Sequence, residues 1–283
     1  MAASWGLSIG VSKALVEELP VADYLAVRYT LGFAVLVAIR PALVRRVDRN
    51  DLRAGVVLGL VFATAQYIQF EGLARASIVV ASFLVSLYVV FTPVLLSVAR
   101  RRLPTPVVTL GAALSLAGVA LMSVRGWSFG TGESLTVLAA LIYAVHVICI
   151  ARWSRPGRAV QLTVVQLGTM GAVFMVAAVP GGLSLPSGPD GAGLAYVVIA
   201  GGAAILAQTW AQARVSAEFA AIILVLEPVW ASAFAVLWWA ESPAPRTVIG
   251  ALLVIGASVV VVTASTRERR RLVTAAETAS ARP

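Results

Sequence analysis

The sequence predicts an all-α integral membrane protein whose ten transmembrane helices form two inverted five-helix repeats. Three observations carry this. The 283 residues are 60% hydrophobic and only 12% charged, with a mean hydropathy of +0.92, where a soluble domain has about 25% charged residues. Apolar runs long enough to cross a bilayer, ~20 residues each, recur from end to end. Finally, residues 73–118 lie over residues 212–257 without a gap.

The runs cover 1–18, 22–40, 52–70, 77–98, 104–124, 134–152, 160–179, 191–212, 218–239 and 246–265. Turn formers separate them: Pro20, then Gly126, Gly130 and Gly132, then Pro156-Gly157, the cluster Pro180 to Pro189, and Pro243 with Pro245. The tail from 266 to 283 is charged and rich in small residues, which predicts a disordered cytoplasmic segment. Arginines crowd alternate loops: Arg40, Arg45, Arg46, Arg49 and Arg53, then Arg100, Arg101 and Arg102, then Arg152, Arg155 and Arg158, and in the tail Arg267, Arg269, Arg270 and Arg271. The other loops carry Glu17, Glu18, Asp23, Glu71, Glu133, Asp190 and Glu241. Basic loops stay on the cytoplasmic side, so both termini are expected there, and an even number of spans follows. The net charge of +9 is absorbed by this asymmetry and calls for no nucleic-acid partner.

A shift of 139 positions superimposes 73–118 on 212–257. It pairs Ala74 with Ala213, Arg75 with Arg214, Ser77 with Ser216, Ala81 with Ala220, Pro104 with Pro243, Pro106 with Pro245, Gly111 with Gly250 and Leu114 with Leu253. The repeats are expected at 1–126 and 134–265. An odd helix count turns the second repeat upside down, and Arg100 to Arg102 duly align with Trp239 to Glu241. Inverted repeats are a frequent architecture of alternating-access transporters, with a site near the midplane between the halves. A duplicated channel or scaffold is the competing reading.

The opening stretch, with Trp5-Gly6, Lys13, Pro20 and Arg28, resembles the first two helices of the EamA-type transporters of the drug/metabolite transporter superfamily. Residues 213–262 are similar to that family's last two helices, with Ala217, Ala220 and Ala221 ahead of Glu227-Pro228, and Glu241 before the final span. The resemblance implies a secondary transporter in the cell inner membrane, an exporter of a small organic solute, in a family that handles amino acids, nucleotide precursors, sugar derivatives and amphiphilic drugs. Two departures stand out. The first span begins almost at Met1, which predicts a start further upstream, and the first repeat has Tyr88-Val89 where the second has Glu227-Pro228, with Pro93 a turn later.

No catalytic constellation, metal-ligand cluster, dinucleotide fingerprint or P-loop is present in the sequence, so neither an enzyme nor a cofactor is expected. Lone Cys149, in an apolar run, reads as a packing residue. The candidates are polar groups inside the spans, which are costly there and usually face a cavity. Glu227 fits two roles. It either satisfies a carbonyl that Pro228 leaves without its N–H partner, at Leu224, or binds a proton or cationic solute group. His146 is either a packing residue or a titrating cavity group. Arg28 either snorkels beside Asp23 or holds a substrate carboxylate. Tyr88, Trp5, Gln66, Gln69, Gln166, Gln208 and Trp210 suit hydrogen bonding or stacking with a small solute, or bridge helices. Pro93 and Pro228 are the expected helix kinks. The partners are then the bilayer, a small-molecule solute and, through Glu227 and His146, a coupling proton.

Overall fold

A computed structural model describes residues 2–39, 41–42, 46–99, 101, 103–123, 130–155, 157–185, 190–212 and 226–280. The helices are α1 (Ala2–Glu18), α2 (Val21–Ile39), α3 (Arg49–Leu73), α4 (Ile78–Val85), α5 (Tyr88–Ala99), α6 (Pro106–Ser123), α7 (Thr131–Trp153), α8 (Ala159–Ala178), α9 (Asp190–Gln212), α10 (Glu227–Trp238) and α11 (Pro245–Ser280). Segments of this kind are helical because lipid offers the backbone no partner. Among the described residues, seven spans meet the length and apolarity needed to cross a membrane, with α4 and α5 together counting as one. The chain is a multi-pass membrane protein.

The 139-residue frame holds in three dimensions. Shifted by 139, α5 falls on α10 residue for residue, α2 on α8, and the ends of α3 and α9 coincide at Leu73 and Gln212. The packing repeats as well. α3 against α7 is matched by α9 against α1, α3 against α8 by α9 against α2, and α5 against α7 by α10 against α1. Two equivalent pairs, α2 with α8 and α6 with α11, pack on each other across the pseudo-twofold. The last pair meets backbone to backbone. A Cβ on Gly250 would lie 2.5 Å from the Gly118 carbonyl, and one on Gly118 would lie 2.7 Å from that of Gly250. Even the turns after α5 and α10 match, with Arg101 at φ 52 and Ala240 at φ 51.

The loops sort into two ends as the charges require. At one end Arg158, ahead of α8, bonds Asp51, Asp48 at 2.8 Å and the Arg46 carbonyl at 3.1 Å. At the other, Ser184 N–H donates to Asp23 at 2.9 Å, and Ile78 N–H donates to Glu241 at 2.7 Å.

Four expectations need correction. The fourth span is interrupted at Ser86-Leu87, ahead of Pro93, which sits inside α5. There the ladder tightens to three-residue bonds, Leu87 N–H to Leu84 O at 3.2 Å and Val89 N–H to Ser86 O at 3.0 Å, and the Ser86 hydroxyl serves the Phe83 carbonyl at 2.7 Å. Pro228 kinks nothing among the described residues, because α10 starts at Glu227 and places the proline in its first turn, where a missing N–H costs nothing. Arg28 does not snorkel toward Asp23 but turns inward to Tyr24 at 2.7 Å. The last helix does not stop at 265 as expected for the tenth span, since α11 continues to Ser280, in a stretch with neither Gly nor Pro after Gly256 until Pro283. The Ala217/Ala220/Ala221 motif, its repeat partners Ala213, Arg214 and Ser216, Leu224, the first part of the ninth span, and Arg40, Arg45, Arg100, Arg102, Gly126, Pro156 and 186–189 lie outside the described residues.

Gly250→Ala is expected to force α6 and α11 apart at a carbonyl that cannot yield, costing about 1–3 kcal/mol and lowering the Tm of the purified protein. Asp48 caps α3, accepting from Asp51 N–H at 2.8 Å and Asn50 N–H at 2.9 Å. Those bonds, Asp51 N–H first, and then Arg158 hold its carboxyl below the usual value of 3.8. The contribution of a depressed carboxyl is complete above its unfolded value and lost as pH falls through the folded one. Amide exchange at Asn50 and Asp51 is therefore expected to accelerate as pH drops below about 3.8, and Asp48→Asn, which keeps an acceptor, to flatten that response.

Candidate functional site

The α3 and α9 helices build a cavity from equivalent positions. Phe62, Gln66 and Gln69 on α3 correspond under the 139 shift to Gly201, Ile205 and Gln208 on α9, and all six line one space of about 730 Å³, part of it open. Tyr88 and Glu227, the first residues of α5 and α10, face it as well. The α1 helix adds Trp5, Ser8 and Ser12, α2 adds Arg28 and Tyr29, and α7 adds Tyr143 and His146. The cavity thus lies between the two repeats. Trp5-Gly6 has a packing reason as well, since a Cβ on Gly6 would lie 2.6 Å from Ala231 N and 3.0 Å from the Glu227 carbonyl. Without a side chain there, α1 settles directly on the first turns of α10.

Arg28 is 6% exposed. Its Nη1 donates to Tyr24 Oη at 2.7 Å and reaches Ser12 Oγ at 3.4 Å, while Nε has no partner. The guanidinium carbon lies 5.7, 5.6 and 5.7 Å from the ring centres of Tyr24, Tyr29 and Phe70, a range at which aromatic faces attract a cation. No carboxylate within ion-pair distance answers it among the described residues. Glu227 likewise has no cationic side chain within that distance among them. Among the described residues the cavity is therefore lined by one cation, Arg28, and one carboxyl, Glu227, with no ion pair between them.

A second network ties Tyr29, Gln66, Gln69 and Tyr143 together. Tyr29 donates to Gln66 Oε1 at 2.6 Å, Gln66 Nε2 donates to Tyr143 Oη at 2.5 Å, and Tyr143 donates to Gln69 Oε1 at 2.5 Å. His146, 2% exposed, stacks on Phe62 with centroids 4.5 Å apart, and its Nε2 lies 3.1 Å from Gln166 Oε1.

Eight sequence candidates meet in this cavity: Trp5, Arg28, Gln66, Gln69, Tyr88, His146, Gln208 and Glu227. Gln166 sits behind the wall, orienting His146. Trp210 is 49% exposed on α9, away from the cavity. Sequence reasoning missed Tyr143, Tyr29, Tyr24, Ser8, Ser12 and Phe62. The signal for Tyr143 was its place one helical turn before His146, on the same face.

The EamA-like transporter family matches residues 1–124 and again 130–263, one match per repeat. The chain belongs to the EamA-like transporter family. This EamA-like transporter is also similar to a solved structure described only as "Crystal structure of protein", with a TM-score of 0.63 and 21% identity over 96% of this chain and 98% of that one. That likeness concerns the fold. No curated protein matches the chain.

Gln66→Ala is expected to strand the buried Tyr29 hydroxyl, a loss of about 1–3 kcal/mol read as a lower Tm. Tyr29→Phe in the same background should recover much of it, because nothing is then left unpaired.

Proposed function

We propose that this EamA-like transporter carries a small zwitterionic organic solute, of the α-amino acid type, by alternating access between its inverted repeats. One observation carries the reading: Arg28 and Glu227 line the same cavity, and neither has a protein counter-charge within reach among the described residues. An uncompensated buried charge costs several kcal/mol, so a solute presenting a carboxylate to Arg28 and an ammonium to Glu227 relieves two such costs at once. The rings of Trp5, Tyr29, Phe62, Tyr88 and Tyr143 supply an apolar surface for the solute's body. The Arg-rich loops favour a reading with both termini cytoplasmic and the protein in a cell inner membrane, and export is the direction the family resemblance favours. Proton coupling runs through Glu227 and His146, the two titrating side chains that line the cavity beside its tyrosines and Arg28. Gln166 fixes the imidazole on its Phe62 side.

Counterflow in proteoliposomes tests the transport step. Trans-stimulated uptake is expected, and simple dissipation of a preloaded solute would instead identify a passive channel. Across matched sets of an amino acid, its carboxamide and its deaminated acid, only the zwitterion is expected to give full exchange. Arg28→Lys, which keeps charge but loses the planar donor set, should weaken it about 10- to 100-fold. Glu227→Gln, which removes the partner of the ammonium, should weaken exchange of preloaded solute and abolish accumulation driven by a pH gradient. Unchanged pH-driven accumulation in that variant removes Glu227 as the coupling site.

A further inference from the structure

A glycine inside a helix needs a reason, because it costs stability there that alanine does not. Gly6, Gly118 and Gly250 have theirs in a neighbouring backbone, since a Cβ on each would lie 2.6, 2.7 and 2.5 Å from a main-chain atom of another helix. Gly201, on α9, has a different one. The three heavy atoms nearest to the place its Cβ would take are Nη2, Nε and the guanidinium carbon of Arg28, at 2.8, 3.1 and 3.4 Å. The α2 and α9 helices meet one turn earlier at an ordinary distance, where a Cβ on Gly32 would lie 3.9 Å from the Val198 carbonyl. The next residue, Gly202, would meet nothing within 4 Å. Among the described residues, then, it is the fork of Arg28 that calls for a missing side chain at 201, and not a crossing of helices.

The fork is held from its other side. Nη1 donates to Tyr24 Oη at 2.7 Å, and that hydroxyl lies 2.6 Å from Ser12 Oγ on α1. Tyr24, Tyr29 and Phe70 present their rings to the guanidinium carbon at 5.7, 5.6 and 5.7 Å. Gly201 and Arg28 both line the cavity. In the 139-residue frame the place of Gly201 is taken on the other wall by Phe62, whose ring stacks on His146. The scaffold therefore accepts bulk at this position, and only the wall that carries the guanidinium leaves it out. A methyl group at 201 would displace the far end of one flexible side chain and leave the helices where they are. What it would disturb is the aim of a planar fork, on which recognition of a carboxylate depends.

We infer that Gly201 is the positioning residue for Arg28, setting where the guanidinium stands in the cavity and so how strongly the transporter prefers a solute with a carboxylate end. The inference rests on the reading of Arg28 as the group that receives that carboxylate.

Counterflow with an amino acid and its carboxamide, alongside thermal unfolding and NMR of the full-length protein, tests it. Gly201→Ala is expected to raise the KM for the amino acid about tenfold, with the maximal rate and the residual exchange of the carboxamide unchanged. Its Tm is expected to hold or rise. Gly202→Ala should change none of these. In an Arg28→Lys background, which has no fork to displace, Gly201→Ala should add no further loss. A lower Tm, an equal loss for both solutes, or the same loss in both backgrounds would assign the glycine to helix packing and overturn the inference. The Arg28 Nε–H resonance, identified by its disappearance in Arg28→Lys, is expected to shift in Gly201→Ala and to stay in place in Gly202→Ala. A resonance that does not move in Gly201→Ala overturns the positioning while leaving the transport reading intact. If the wild-type protein shows no trans-stimulation, the transport reading fails, and the resonance decides the positioning by itself.

Discussion

A backbone in hydrocarbon must satisfy every N–H and C=O within the protein, and irregular backbone survives there only where protein or a cavity encloses it. That constraint makes all the described spans helical and decides where one is allowed to break. The interruption at Ser86-Leu87 is lined with local substitutes, shortened ladder bonds and the Ser86 hydroxyl. In the second repeat α10 begins at Glu227, the same position in the 139-residue frame. Both new helices open on a side chain that enters the cavity. In the first repeat, the need to hide a break and the need to present a polar group to the cavity are met by one device.

On this symmetric frame the chemistry is asymmetric. Tyr88 faces Glu227, Gln66 faces Ile205, Phe62 faces Gly201, and only Gln69 and Gln208 agree. A solute bound between the repeats therefore meets two unlike walls, as oriented binding of a molecule with two different ends requires. The Arg28 charge is kept in the cavity wall by aromatic faces and hydroxyl acceptors rather than by a carboxylate. Its electrostatic pull is thus left for whatever enters. In the loops, Glu241 caps a helix of the opposite repeat.

Much of this was legible in the sequence because it is encoded along the chain. Apolar length fixes spans, arginine placement sorts loops into two ends, and a constant shift reveals the repeat, all without knowing where any helix faces. Intramembrane polar residues likewise announce themselves by their cost, which is why eight of the candidates meet in one cavity. The azimuth of each side chain was not encoded in this way. These helices are apolar nearly all round, so no polar face tells Trp210, which points outward, from Gln208 two residues earlier, which points in. Tyr143 and Tyr29 lie far apart along the chain, and only the crossing of α2, α3 and α7 joins them through Gln66.

The sequence by itself determined an all-helical membrane fold, its two inverted repeats and the identity of its charged intramembrane groups, because hydrophobic length, charge asymmetry and register are linear properties. Tertiary structure decided that Arg28 turns into the cavity and that, among the described residues, Pro228 stands in the first turn of α10. It also decided that Glu241 closes on a helix more than 160 residues away in the chain. Each of these depends on how closely two helices approach and at what rotation, which is set by glycine-sized contacts such as Gly6 on Ala231 and Gly118 on Gly250.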